Sequence, residues 1–173
     1  DEINKLKASI IKSKYTTLFA LVVSGEMIFS LPFHLTRYFR PTILEAFAIT
    51  NSELGDAFAI YGLTAMISYF PGGILADKFS IRHLMSGSLI ATSVGGIYLL
   101  YIPNSFELSL LYGYWGITSI LFFWAALIKA TRQWGGVFSQ GKAFGYLDGG
   151  RGLVAATFAT LSVFIFSSFL PDQ

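Results

Sequence analysis

Asp148 and Arg151 stand three residues apart inside a long apolar run, and Glu26 stands inside another near the start of the chain. On a helix, a spacing of three puts two side chains on one face, so Asp148 and Arg151 can pair. An arginine in an apolar span costs ~2.5–3.5 kcal/mol on insertion scales, so it should face a bundle interior or an aqueous cavity. Two uses are open to Arg151: binding a substrate, or bracing the bundle as a structural ion pair with Asp148. Gly149, Gly150 and Gly152 remove bulk around that face. A carboxylate buried in a span, such as Glu26, can carry a proton or serve as a neutral acid in an interhelical hydrogen bond. Arg37 is either a ligand for an anion or an interfacial arginine snorkelling to headgroups. Arg40, beside Pro41, reads as interfacial, and His34 as a packing or interfacial residue.

A second group of charges lies in Gly72-Gly73-Ile74-Leu75-Ala76-Asp77-Lys78-Phe79-Ser80-Ile81-Arg82-His83, between two apolar runs. The break reads as a tight loop at a membrane surface. Enzyme chemistry finds little support. There are two histidines and no cysteine, so thiolate catalysis, disulfides and cysteine-ligated metals are excluded and no metal-ligand set is offered. The glycines of 145–152 follow no strand, so a nucleotide loop is not expected. No cofactor and no nucleic-acid partner is expected.

The elements that must position these residues are membrane spans. The chain is 54% hydrophobic and 13% charged, with a mean hydropathy of +0.61, against about 25% charged in a typical globular domain. Its apolar blocks are long enough to cross a bilayer, which takes roughly 20 helical residues. Seventeen Phe, nine Tyr and three Trp suit lipid-facing and interfacial sites. The expected fold class is all-α, a polytopic transmembrane helix bundle. Residues 1–14 form a polar cytoplasmic lead-in, amphipathic through Ile3, Leu6, Ile10 and Ile11 or simply a solvated basic tail. Residues 15–173 form a partial bundle with spans at about 15–47, 54–75, 84–102, 107–128 and 143–170.

The first span reads as one long, kinked helix with Pro32. The second starts at an N-cap on Asn51 or Ser52, with Glu53 in the first turn. Gly55, Gly62, Gly72 and Gly73 give the second span a small-residue face for close contact. Tyr101, Tyr112 and Tyr114 mark an aromatic belt near Pro103. Residues 129–142 read as a polar connection, and the glycines of 149–152 as an interruption of the fifth span. With the N-terminus in the cytoplasm, Lys5, Lys7, Lys12, Lys14, Lys78, Arg82, Lys129, Arg132 and Lys142 fall inside. Only Arg37 and Arg40 fall outside, and Arg151 lies within a span. The positive-inside rule favours that orientation. No cleavable signal peptide is expected. The start at Asp1 suggests a sequence incomplete at that end.

The loop resembles the signature of the major facilitator superfamily, roughly G-x-L-A-D-[RK]-x-G-x-[RK]-[RK], between its second and third helices. Gly73, Leu75, Ala76, Asp77, Lys78 and Arg82 match; Ser80 replaces the second glycine and His83 the last base. Pro41 to Gly55 resembles the family's passage from first to second helix. Phe122–Ala126 with Gln140–Gly145 is similar to the fourth-to-fifth helix passage of the organophosphate:phosphate antiporter and anion-transporter branches. The resemblance covers about residues 15–170.

It implies a secondary transporter in the bacterial inner membrane, moving a small, anionic or phosphorylated organic solute by alternating access. Its partners are then the substrate, the lipid bilayer and a C-terminal half that is absent here. Family members have twelve helices, so five spans imply a fragment that is inactive alone. The alternative is a small five-span scaffold or assembly protein. The resemblance makes Gly73, Asp77, Lys78 and Arg82 a conformational latch; the other reading is that these charges only set topology. Read as an acid at a helix N-terminus, Asp77 gains about 0.3–1 kcal/mol from the helix dipole. Aligned on Pro41, the usual substrate arginine falls on Phe33, one turn before Arg37. The arginine of many proton-coupled members falls on Tyr112, which argues against proton coupling by that route.

Overall fold

The structure, a computed structural model, describes residues 2–169 apart from the side chains of residues 5–8. Lys5, Leu6 and Lys7 of the lead-in, and the end of the fifth span at Leu170, lie outside that description. All regular structure among the described residues is helical. Four helices are long and apolar enough to cross a membrane: Asn51–Lys78, Ile81–Tyr101, Ser105–Gly135 and Gln140–Phe169. A fifth is reached if Glu2–Met27 and Ser30–Tyr38 are one interrupted span. The chain divides into two compact units, residues 2–27 with 128–169, and Ile28–Leu127.

The unit Ile28–Leu127 begins with a widened π turn at Ser30–His34, followed by α2 (Leu35–Tyr38) and α3 (Arg40–Ala46). Pro32 explains the wide turn: it has no N–H to donate and its ring crowds the carbonyl one turn back. The first span is therefore a chain of helical pieces where one long helix through Phe47 was expected. α4 (Asn51–Lys78) starts from a reciprocal cap. The Thr50 N–H donates to Glu53 Oε2 at 2.7 Å, and the Glu53 N–H donates to Thr50 Oγ1 at 3.2 Å. The N-cap is thus Thr50, one residue before the expected pair. Asn51 is otherwise engaged, since its Oδ1 accepts from Arg40 Nε at 2.8 Å.

α5 (Ile81–Tyr98) runs into a short tight turn, Leu99–Tyr101. α6 (Ser105–Gly116) is capped by Asn104 and Glu107 in the same reciprocal way as α4. The fourth span continues through a π segment, Ile117–Trp124, into α7 (Ala125–Gly135). It is helical to Gly135, beyond the expected end at Ile128. Lys129 and Arg132 favour this, because cations near a helix C-terminus complement its dipole.

Within this unit both α4 and α5 pack on the fourth span. Lipid gives no hydrophobic drive for helix association, so close packing and polar contacts must hold such a seam. Tyr61, Ala65, Leu108, Leu111, Tyr112, Trp115 and Ile120 form its buried core with Ile49, Leu54 and Ala57. Hydroxyls stitch it together. Ser119 Oγ donates to the Trp115 carbonyl at 2.6 Å, so the 2.7 Å contact with Tyr61 must be donated by Tyr61. Ser88 Oγ donates to the Thr118 carbonyl at 2.6 Å, and Thr92 and Thr118 hydroxyls meet at 2.8 Å. Trp115 Nε1 donates to the Thr92 carbonyl at 3.0 Å. Tyr112 and Trp115 are thus core residues; burial removes Tyr112 from the expected aromatic belt, while Tyr101 and Tyr114 stay exposed.

Close approach depends on three glycines. A Cβ at Gly116 would meet the Thr64 hydroxyl and lie 2.6 Å from the Tyr61 carbonyl oxygen. One at Gly72 would lie 3.0 Å from the Leu121 carbonyl oxygen, and one at Gly95 would lie 2.6 Å from Trp115 Nε1. Gly55, Gly62 and Gly73 have no such neighbour, so only Gly72 of the expected small-residue face is packed.

The other unit contains α1 (Glu2–Met27) and α8 (Gln140–Phe169), which pack on one another. The connection before α8 is short, residues 136–139, and Gly136 takes a left-handed φ of 63° that ends the preceding helix. α8 runs unbroken through Asp148–Gly152, where an interruption was expected. Trp134 fastens the start of the unit: its Nε1 donates to the Lys14 carbonyl at 2.7 Å, and the Lys14 ammonium sits 4.8 Å from the ring centroid.

The seam makes a direct prediction. Gly116→Val should destabilise the detergent-solubilised full-length protein by about 1–3 kcal/mol, the usual range for overpacking. Gly62→Val should leave its thermal unfolding temperature close to wild type.

Candidate functional site

Val22 and Glu26 lie one turn apart on α1, and Gly150 and Arg151 are neighbours on α8. A Cβ at Gly150 would lie 2.8 Å from Val22 Cγ1, so the helices touch at a point where a side chain would separate them. One turn along α1 from that contact, Arg151 Nε donates to Glu26 Oε2 at 3.1 Å. The same guanidinium holds Asp148 Oδ1 at 3.6 Å from Nη1. The side chains of Glu26 and Arg151 are 10% and 20% exposed, whereas that of Asp148 is 71% exposed. Arg151 therefore joins a buried acid on another helix to an exposed acid on its own. The expected Asp148–Arg151 pair is present, but the shorter and better buried partner is Glu26. Sequence reasoning treated Glu26 and Arg151 separately. The available signal was one unmatched charge of each sign in two different spans, each costly alone.

An apolar cavity of about 520 Å³ opens between α1 and α8 beside this cluster, with Tyr15, Phe19, Val22, Tyr146, Gly149 and Leu153 among its walls. Of the glycines flanking Arg151, Gly150 alone meets a neighbour; Gly149 and Gly152 face open space. Among the described residues no group of three His, Asp or Glu side chains is placed to hold a metal ion.

Arg37 belongs to the other unit, exposed on α2. Phe33, where the resemblance places a substrate arginine, is part of an aromatic cluster: its ring lies 4.7 Å from Tyr61 and 5.7 Å from Phe58. Tyr112, at the position of the proton-coupling arginine, has a structural use. Its hydroxyl donates to the Pro32 carbonyl at 2.7 Å, in the widened turn of the first span. His34 is buried in that same turn.

Asp77 and Lys78 close α4, and Arg82 and His83 lie in the first turn of α5, all exposed. This corrects the expected dipole benefit for Asp77, which sits at the C-terminal end of its helix, where the dipole is negative. Arg82 stands at the positive end of α5, so neither charge gains from its own helix, while Lys78 does. Gly73, one turn before Asp77, has open space where a Cβ would project.

All-helical architecture, several membrane-length apolar helices and a charge cluster inside a span define a polytopic membrane protein. The chain belongs to the Major Facilitator Superfamily, whose sequence profile matches residues 18–170. The inner membrane protein YqcE of Escherichia coli (strain K12) is 30% identical to it over 92% of this chain and 37% of its own length. The inner membrane protein YihN of the same organism is 31% identical over 88% of this chain and 37% of its own length. The uncharacterized transporter YybO of Bacillus subtilis (strain 168) is 29% identical over 75% of this chain and 29% of its own length. The chain thus spans 37% of the length of each Escherichia coli relative and 29% of the Bacillus subtilis one. No solved structure matches it.

Removing one member of a buried ion pair strands the other, which typically costs 3–5 kcal/mol. Glu26→Ala and Arg151→Ala should each destabilise the protein, and the double variant should cost clearly less than the sum in a denaturation cycle. Gly150→Leu should wedge α1 from α8 and also destabilise it, whereas Gly149→Leu should not.

Proposed function

We propose that this chain is the N-terminal part of a secondary transporter that moves a small anionic or phosphorylated organic solute by alternating access. It is closest in layout to the organophosphate:phosphate antiporter and anion-transporter branches. The observation that carries this reading is Arg151, a guanidinium held inside a membrane span beside a cavity, in a chain of this superfamily. Membrane-embedded ionisable residues cluster on substrate and ion pathways, and the substrate sites of such transporters lie near the midplane between repeats. Arg151 is the substrate ligand and Asp148 orients it from the exposed side; Arg37, in the other unit, is a second candidate anion ligand on its sequence position alone.

Residues 1–14 and the Asp77–His83 turn are cytoplasmic, and the protein sits in a bacterial inner membrane. This is supported by the distribution of Lys and Arg and by the relatives described as inner membrane proteins. The turn is the conformational latch. Gly73 leaves room for a partner helix, and Asp77, Lys78 and Arg82 engage charged groups there. The rest of the pathway belongs to the remainder of the full-length transporter.

Uptake into proteoliposomes carrying the full-length protein tests this reading. Arg151→Ala should reduce uptake of the transported anion at least a hundredfold. Equal uptake by Arg151→Ala and wild type across organic phosphates, sulfates and carboxylates would remove the proposed role. Asp77→Asn should slow exchange with little change in substrate affinity, because a latch sets the conformational equilibrium without touching substrate.

A further inference from the structure

We propose that the groove between α1 and α8 is a binding site for an anionic phospholipid, with one acyl chain in the groove and the phosphate held by Lys12 and Lys142 at its entrance. The groove is the apolar cavity of about 520 Å³ in this unit. Its wall on α1 is Tyr15, Phe19 and Val22, and its wall on α8 is Tyr146, Gly149 and Leu153. Steps of three and four residues keep each wall on one helix face. Each wall runs about 10 Å along its helix, at 1.5 Å per residue. Tyr15, Phe19, Tyr146 and Leu153 are all exposed, so the groove is open along its length. Among the described residues that line it, the phenols of Tyr15 and Tyr146 are the side-chain polar groups.

Both tyrosines stand at the same end, because Trp134 ties the two helices together there. Its Nε1 donates to the Lys14 carbonyl at 2.7 Å, and its ring meets Tyr146 nearly edge-on, with centroids 6.1 Å apart. Tryptophan and tyrosine with one polar edge and an apolar body suit the headgroup level of a bilayer. Lys12 precedes Tyr15 by three residues and Lys142 precedes Tyr146 by four. Each lysine therefore stands about one turn outside the groove, on the groove's own face, and both are exposed.

The charge at this end is of one sign. Residues 9–25 and 128–147 hold Lys12, Lys14, Lys129, Arg132 and Lys142 and no acid. The acids among the described residues of this unit lie elsewhere. Glu2 is about 18 Å along α1 from Lys14, while Glu26 and Asp148 are engaged with Arg151. An apolar slot with cations at its entrance is matched by a molecule with an apolar tail and an anionic head. A zwitterionic lipid brings its own cation to the same place, and an apolar helix brings no anion. Basic pockets between membrane helices hold acidic headgroups on this principle. The lipid site stands or falls apart from any role of Arg151 in transport.

The test uses full-length protein in phosphatidylcholine vesicles that contain a minor fraction of chain-brominated lipid, either phosphatidylglycerol or phosphatidylcholine. Bromine quenches a nearby indole, and subtracting the signal of Trp134→Phe isolates Trp134. Brominated phosphatidylglycerol should half-quench Trp134 at a mole fraction about fivefold or more below that of brominated phosphatidylcholine. Raising the salt concentration should narrow the difference. The double variant Lys12→Gln, Lys142→Gln should abolish it. So should Gly149→Leu, which puts a side chain into the groove where a Cβ meets no neighbour. Equal quenching of wild type by the two lipids overturns the proposal, since it describes ordinary solvation by the bilayer. A preference that survives Gly149→Leu also overturns it, by assigning the attraction to surface charge alone. A preference that survives the double lysine variant overturns it independently of whether Gly149→Leu folds. No quenching by either lipid overturns it by showing the groove covered by another helix of the full-length protein.

Discussion

A guanidinium cannot rest in a low-dielectric span without an opposite charge. In this chain that requirement is met across two helices far apart in sequence. Arg151 on α8 reaches Glu26 on α1, and it can do so because Gly150 lets α8 come against Val22 one turn away. The order of dependence is clear. A missing methyl group sets the interhelical distance, the distance brings the charges within hydrogen-bonding reach, and the pairing makes both charges tolerable. The cluster is thus a structural clasp between α1 and α8.

The other unit solves the same problem of association in lipid with uncharged groups. Tyr61, Ser88, Thr92, Thr118 and Ser119 form a short hydroxyl network around Trp115, and Gly72, Gly95 and Gly116 let the helices close on it. Tyr112 extends the network to the carbonyl of Pro32. The widened turn that a proline imposes on the first span is therefore matched by a side chain on the fourth. Both π segments described in this unit, at Ser30–His34 and Ile117–Trp124, have a side-chain donor aimed at one of their carbonyls, as backbone away from water requires.

Much of this was legible before the fold was known. Long apolar blocks, sparse charge and the asymmetry of Lys and Arg give a helical membrane bundle, and Gly73 to Arg82 gives the family. Hydropathy reports whether a residue is apolar, not which way it faces. It therefore could not separate Gly72 and Gly116, which are packed, from Gly55 and Gly62, which are not, and it placed Tyr112 in a belt when it is in the core. The start of α4 was misplaced by one residue although its signal is local: Thr50 and Glu53 stand at the spacing of a reciprocal cap, and they form one. The Asp148–Arg151 spacing was readable because it is local. The Glu26–Arg151 contact bridges 125 residues, and no periodicity encodes it, although the need of each charge for a partner does.

The two kinds of glycine on α4 also bear on how such a sequence can change over time. Gly72, on the seam with the fourth span, admits almost no growth, because an added Cβ would lie 3.0 Å from the Leu121 backbone carbonyl oxygen, which cannot step aside. At Gly55 and Gly62 an added Cβ would meet no atom of the described chain within 4 Å. Substitutions there should accumulate at the pace set by whatever surface they face, so α4 carries a slow face and a fast face on one helix, and comparing the two rates across relatives would measure how demanding that outer surface is.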